Sequence, residues 1–247
     1  MVSKSVIFLG SKPVGYECLA WLIQQQDAMN FEITGVLTQA RKEFGGESDL
    51  NELATENGIP VYTDPDTMPE CDILYSVQYH KILKKEHIDK ARQIAVNLHM
   101  APLPEYRGSN QFSFAIIDEK KEFGTTIHKI DPRIDHGDIL FQHRFPIPDN
   151  CWVGDLYNQT VDISVSLFKA TLPRLLHEDC QAVAQETIIT KYGTSLHYRN
   201  EMDSLKIIDL NWDKEKTERY IRATSMPGFE PPYCIIDGRK IYFSTKH

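Results

Sequence analysis

Apolar and polar positions alternate between two periods along the first hundred residues. Ser5 to Gly10 (SVIFLG) is a short apolar run closed by glycine and predicts a buried strand, whereas Pro13 to Gln26 carries Leu19, Leu22 and Ile23 at helical spacing. Phe31 to Thr38 repeats the strand pattern. Asp49 to Glu56 reads as a helix stopped by Asn57-Gly58, and Ile59 to Tyr62 is a brief extended run. Asp72 to Val77 and Ile94 to Val96 add two strands with a short helix between them.

Strands separated by helices predict an α/β fold, a doubly wound, Rossmann-like parallel sheet with helices on both faces. Ligands in such sheets bind beyond the carboxyl ends of the strands. The polar, glycine-bearing stretch 39–48 (QARKEFGGES) reads as a mobile loop. Farther on, the extended runs Gly124–Ile130 and Asp138–Ile147 flank Asp131-Pro-Arg-Ile-Asp-His-Gly137, a hairpin or strand connection. Asn150 is the expected cap of a long amphipathic helix whose stripe includes Val153, Leu156, Tyr157, Val161, Leu167, Phe168 and Leu175. The pattern divides the chain into a large domain, 1–189, and a small carboxy-terminal subdomain, 190–247. The latter holds a helix over Asp213–Ala223 and a hairpin turning at Asp237-Gly238. An isolated hairpin is marginal in water. Pairing with a second copy, giving a homodimer, is the preferred expectation, and docking on its own domain is the alternative.

Composition narrows the function. The chain has 247 residues, 41% hydrophobic and 25% charged, and a net charge of −8, which disfavours a surface for long nucleic acid but leaves room for a nucleotide-sized ligand. MVSKSVIFLG has no signal-peptide pattern and no apolar run reaches membrane-span length, so a cytoplasmic protein without membrane partners is expected. The five cysteines are widely spaced with no C-x-x-C pair and read as packing residues. Gly10-Ser-Lys-Pro-Val-Gly15 lacks the Gly-Lys-Ser/Thr of a phosphate loop, and no G-x-G-x-x-G occurs. Lys12 still falls where a strand end points into the ligand crevice, as either a surface lysine or an anion contact. His128, His136 and His143, with Asp131 and Asp138, fit no compact zinc spacing, so no metal is expected.

The chemistry concentrates in one stretch. Val96-Asn97-Leu98-His99 puts two polar side chains at i, i+2, on one side of a strand end. Met100-Ala-Pro-Leu-Pro-Glu-Tyr-Arg-Gly108 follows as a loop stiffened by two prolines. Ile134-Asp135-His136-Gly137-Asp138-Ile139 brings a carboxylate beside a glycine turn. Asn-x-His, then Leu-Pro-x-Tyr-Arg-Gly, Gly-Thr-Thr-Ile-His and Asp-x-Gly-Asp-Ile, in this order, resemble the formyltetrahydrofolate-dependent formyltransferases. The likeness is dense from Ser76 to Gln142 and a matter of pattern before that. It implies a folate formyl donor, formyltetrahydrofolate, a catalytic triad on Asn97, His99 and Asp135, and a folate-lining loop at Val77, Gln78, Tyr79 and His80.

These residue types suit formyl transfer on chemical grounds. Attack by a neutral amine places negative charge on the formyl oxygen, and the Asn97 amide can donate to it without repulsion. His99 can take the proton of the new ammonium, and Asp135 can orient the imidazole and favour its charged form. Among the acceptors of that family, an initiator tRNA fits poorly with a −8 chain of this length. Glycinamide ribonucleotide fits poorly with Gly-Ser-Lys-Pro in place of Gly-x-Gly-Ser-Asn. Val-Gln-Tyr-His, Tyr220-Ile-Arg-Ala223 and Gly228-Phe-Glu-Pro-Pro-Tyr233 resemble the sugar formyltransferases, which implies a dTDP-linked 4-amino-4,6-dideoxyhexose used in surface polysaccharide. On that reading Phe229 and Tyr233 stack on the base or merely pack the subdomain, Arg222 or Lys12 meets the diphosphate, and Arg107 and Gly108 border the substrate. A formyltetrahydrofolate hydrolase and a non-catalytic nucleotide-sugar binder remain the alternatives.

Overall fold

The computed structural model describes residues 3–38, 49–177 and 180–243, so the predicted loop 39–48 lies outside the described residues. Strand β1 (Lys4–Gly10), helix α1 (Lys12–Met29) and strand β2 (Phe31–Leu37) open the chain, followed by α2 (Leu50–Glu56), β3 (Val61–Tyr62) and β4 (Cys71–Val77). Then come α3 (Lys85–Ile88), β5 (Ala91–His99), β6 (Tyr106–Gly108), α4 (Gln111–Ile117), β7 (Glu122–Lys129), β8 (Ile139–Pro146) and the long α5 (Val153–His177). The carboxy-terminal part holds α6 (Ile189–Tyr192), β9 (Ser195–His197), α7 (Glu201–Leu205), α8 (Lys214–Thr224), β10 (Tyr233–Ile236) and β11 (Arg239–Tyr242).

Seven strands form one sheet in the order β3-β2-β1-β4-β5-β7-β8. The first five run parallel, as predicted, whereas β7 pairs antiparallel with β5, and β8 antiparallel with β7. For β8 the reason is local: the short connection after Lys129 permits only a reversal, while parallel pairing needs a crossover of a dozen residues or more. Strand alternation sends Val6 and Phe8 of β1 toward the core that contains Leu19 and Leu22 of α1 and Phe168 and Leu172 of α5. Ile7 and Leu9 point the other way, into a smaller core completed by Met68, Leu74, Leu83 and Ala95. That second face is covered by α3 and the short helical turn Pro65–Thr67, a thinner layer than α1 and α5 provide. Val96 and Leu98 belong to the thick core and Ala95 to the thin one, so Asn97 and His99 fall on the thinly covered side.

Several boundaries differ from the pattern reading. Strand β5 extends to both sides of Ile94–Val96, because its exposed amino-terminal residues carry no hydrophobic signal. Asn150 does not cap α5: the helix starts at Val153, and Asn150 sits in a left-handed turn at φ 56° three residues earlier. Asp49 and Asp213 do cap their helices, accepting from the backbone N–H of Asn51 and of Lys216. The hairpin β10–β11 turns at Asp237-Gly238 with φ 48° and 74°, the paired positive values a two-residue turn requires.

The connection 130–138 is pinned by a glycine. A Cβ at Gly137 would lie 1.8 Å from the carbonyl oxygen of Lys129, so only glycine lets this loop close on the end of β7. Gln185 locks it further, its Nε2 donating to the carbonyls of Asp135 (2.9 Å) and Gly137 (2.8 Å). Gly137→Ala is expected to push the loop off β7, at a cost of ~1–3 kcal/mol typical of an overfilled site. Urea unfolding measures it, and an unchanged midpoint would contradict this packing.

Candidate active site

The site grows from the register of three strands. Ser76 of β4 pairs with Asn97 of β5, and Asn97 pairs with His128 of β7, so Asn97 and His128 stand side by side on one face. His99, two residues on, shares that face with Asn97 and is 4% exposed. The loop 130–138 then carries Asp135 over the strand ends, with Asp135 itself at φ 46°.

Four groups converge on the Asp135 carboxylate. The Gly108 backbone N–H donates to Oδ2 at 2.9 Å, and His99 Nδ1 lies 3.5 Å from the same oxygen. On the other side, His128 Nε2 and Asn97 Nδ2 each lie 3.5 Å from Oδ1. Burial pushes this carboxyl up, but the imidazoles of His99 and His128 and the Gly108 N–H outweigh it and hold it well below the usual carboxylate range. Asp135 is therefore a fixed negative charge.

Second hydrogen bonds set the tautomers. His99 Nε2 lies 2.8 Å from the Tyr106 carbonyl, which can only accept, so Nε2 carries a proton and Nδ1 faces Asp135. His128 Nδ1 lies 2.8 Å from the Lys129 carbonyl and is protonated by the same argument, leaving Nε2 to accept from Asn97 Nδ2 at 3.2 Å. Asn97 is thus oriented with its amide hydrogens toward the cluster.

The proline loop is tied into the same frame. The Leu103 N–H donates to Thr126 Oγ1 (3.2 Å), Thr126 donates to the Ala101 carbonyl (2.8 Å), and Gln142 Nε2 donates to the Leu103 carbonyl (2.9 Å). This holds β6 in place, and with it the Gly108 N–H. Gly108 has φ 84°, and a Cβ there would come within 2.2 Å of the His197 carbonyl oxygen of β9. The strand pairing of β6 with β9 therefore depends on that glycine.

The remaining predicted residues are scattered. Val77 ends β4 and is buried, and Gln78 turns the chain at φ 55° so that Tyr79 and His80 form a ring pair 4.8 Å apart beside the end of β5. Lys12, also at positive φ (65°), donates from Nζ to the Gln78 side-chain oxygen at 3.0 Å, which brings it to this loop. Arg107 is half-buried next to Gly108, and its Nε has no hydrogen-bond partner among the described residues. Arg222 does not join this group: it lines a separate cleft between α4, the end of β8 and α8. Phe229 is half exposed, whereas Tyr233 is buried, its ring covered by Lys240 Nζ at 4.0 Å and meeting Tyr242 edge-on. Of the two readings of Tyr233, this placement is that of a packing residue.

The residue that sequence reasoning passed over is His128, which had been weighed only as a metal ligand. Among the described residues no group of three or more His, Cys, Asp or Glu could hold a metal ion. The usable signal lay in Gly-Thr-Thr-Ile-His, where Thr126 and His128 alternate on one side of a strand.

Residues 66–172, which include Asn97, His99, His128 and Asp135, match the family model described as formyl transferase. Residues 66–172 carry a formyl transferase domain. The chain is 30% identical over 188 residues to the methionyl-tRNA formyltransferase of Clostridioides difficile, covering 70% of this chain and 59% of that one. A GDP-perosamine N-formyltransferase of Brucella melitensis is 28% identical over 172 residues, covering 70% of this chain and 63% of the relative. The fold matches that of the Helicobacter canadensis N-formyltransferase solved with folinic acid and dTDP-3-aminofucose, with a TM-score of 0.77, 23% identity, and coverage of 97% of this chain and 86% of that one. Among the described residues no helix is long and apolar enough to cross a membrane.

The depressed Asp135 carboxyl gives a pH signature. A folded-state pKa below the unfolded value of about 3.9 contributes stability that is present above that value and is lost as pH falls through the folded pKa. The stability advantage of wild type over Asp135→Asn should therefore shrink as pH falls below about 4. Chemical denaturation from about pH 5 downward checks it, and a gap that does not shrink below about pH 4 would contradict it.

Proposed function

We propose that the protein transfers a formyl group from formyltetrahydrofolate to the amine of a nucleotide-linked amino sugar, with Asn97, His99 and Asp135 as the catalytic residues. The observation that carries the proposal is the convergence of the His99 imidazole and the Asn97 amide on the buried Asp135 carboxylate.

The roles follow from the hydrogen bonds. Asn97, held by His128 Nε2, offers an amide N–H to the oxygen that gains charge as the amine attacks the formyl carbon. His99, with Nε2–H fixed on the Tyr106 carbonyl, takes at Nδ1 an N–H proton from the attacking nitrogen, which becomes cationic as the N–C bond forms, and Asp135 stabilises the imidazolium. The same proton can then be returned to the folate nitrogen that leaves as its C–N bond breaks. The folate donor is suited by the Val77–His80 segment, where a left-handed Gln78 presents an aromatic pair and backbone groups next to Asn97.

The acceptor reading is supported by two cations near the triad, Lys12 and Arg107, placed to meet a diphosphate, and by the half-exposed Phe229, which offers a ring to a base. A net charge of −8 disfavours a large polyanion. A dTDP-linked 4-amino-4,6-dideoxyhexose, destined for surface polysaccharide, is the acceptor we favour, in a cytoplasmic, metal-independent enzyme. The methionyl-tRNA formyltransferase relatives give a second reading in which the acceptor is an aminoacyl-tRNA. Folate product release measured with a dTDP-4-amino sugar and with methionyl-tRNA separates the two. In that assay Asn97→Ala or His99→Ala is expected to lower kcat by about 10²–10⁴. Near-normal turnover in either variant would overturn the mechanism, and release without any amine would make the protein a hydrolase.

The hairpin supports a homodimer. Ile235, Ile236, Ile241 and Tyr242 are each about half exposed, an apolar surface on two strands that little else covers. Ile235→Glu combined with Ile241→Glu is expected to convert a dimer to a monomer in light scattering. A wild-type monomer would remove this part of the proposal.

A further inference from the structure

A second cleft, of about 430 Å³, lies at the carboxyl end of α4, walled by the turn after β8 and by α8. Its lining shares no residue with the Asn97, His99, His128 and Asp135 cluster. Helix α4 separates the two, its amino-terminal side next to Gly108 and its far end at the cleft, about 10 Å along the axis for seven residues.

Cations and carboxylates line this cleft in equal number, Glu119, Asp149, Glu215 and Glu218 being the carboxylates, so an anion site here rests on which cations are unpaired. Four cations line it: Lys120, Lys121, Arg219 and Arg222. Arg219 pairs with Glu119 at 3.0 Å, and Lys121 approaches Asp149 at 3.8 Å with both side chains more than four-fifths exposed, a weak contact. Glu218 lies 3.8 Å from Lys214. Arg222 makes no hydrogen bond or ion pair with the described residues, and its Nε, like that of Arg219, is buried without a partner. Lys120 Nζ faces only the Tyr106 ring, at 6.0 Å. Against these two uncommitted cations stands one carboxylate, Glu215, on the exposed rim. Ile116, Ile147 and Pro148 supply an apolar wall. A half-buried guanidinium without a counter-charge is costly, and an anion seated on it removes that cost.

We infer that this cleft is a binding site for a phosphate-bearing small molecule, with Arg222 as its principal anion contact and Lys120, Lys121 and Arg219 around it. The volume is that of a small-ligand site, and its lining is mainly polar, which suits a small phosphate or pyrophosphate group. The site is distinct from the substrate contacts at Lys12 and Arg107, and it stands whichever amine the enzyme formylates. It reassigns Arg222 from the substrate diphosphate to a second ligand.

Titration calorimetry with inorganic pyrophosphate tests this in full-length protein carrying Lys12→Ala and Arg107→Ala, which removes the cations beside the triad. One equivalent is expected to bind, and adding Arg222→Gln should weaken binding at least tenfold while Arg222→Lys restores part of it. Lys121→Glu, at an exposed rim position that carries no folding risk, should weaken binding about threefold and fall with ionic strength. Absence of pyrophosphate binding in the Lys12→Ala, Arg107→Ala protein, or an affinity indifferent to both Arg222→Gln and Lys121→Glu, would overturn the inference.

Discussion

The structure is organised around one buried negative charge. Removing a carboxylate from water is expensive unless donors surround it, and Asp135 has the Gly108 N–H, two imidazoles and the Asn97 amide within hydrogen-bonding or near-contact range. Those groups come from three stretches of chain, β5, β6 and the end of β7. The charge therefore holds together the end of β5, the end of β7, strand β6 and the loop 130–138. The same charge sets the geometry of the cluster, because His99 Nδ1 faces one carboxylate oxygen and the Asn97 amide the other.

Support for this arrangement reaches well beyond the residues that touch it. Gln185 fixes the backbone of the Asp135 loop from the segment after α5. Thr125 Oγ1 donates to the His99 carbonyl and accepts from Ser164 of α5, so a short hydroxyl chain ties the catalytic strand to the longest helix. Arg144 bonds Gln142 and Glu105 and lies over the Tyr192 ring, binding the proline loop to the carboxy-terminal segment. A site built on such contacts is pre-organised: little has to move when charge develops.

The thin face of the sheet explains where the site is. Long helices α1 and α5 bury one side completely, which leaves no room for a ligand there. The opposite side carries only a short helix and a helical turn, and at the carboxyl ends of β4 and β5 it is roofed by loops. Polar residues on that face can meet a substrate, while their neighbours one position away are core. Val96, Asn97 and Leu98 show the contrast within three residues.

What the sequence determined by itself was the alternation of elements, most of their boundaries, the hairpin turn and the pair Asn97 and His99. These rest on interactions between residues close in the chain: periodicity, glycine turns, aspartate caps and the i, i+2 geometry of a strand. The carboxylate at Asp135 came from motif order rather than from local physics. Only the tertiary structure decided that His128 stands beside Asn97, that Tyr233 is packed under Lys240, and that Arg222 faces a different cleft from Lys12. Those facts depend on the antiparallel register of β5 with β7 and on how α8 docks on α4, pairings between distant segments whose energy is shared over many weak contacts and leaves no mark at any single position.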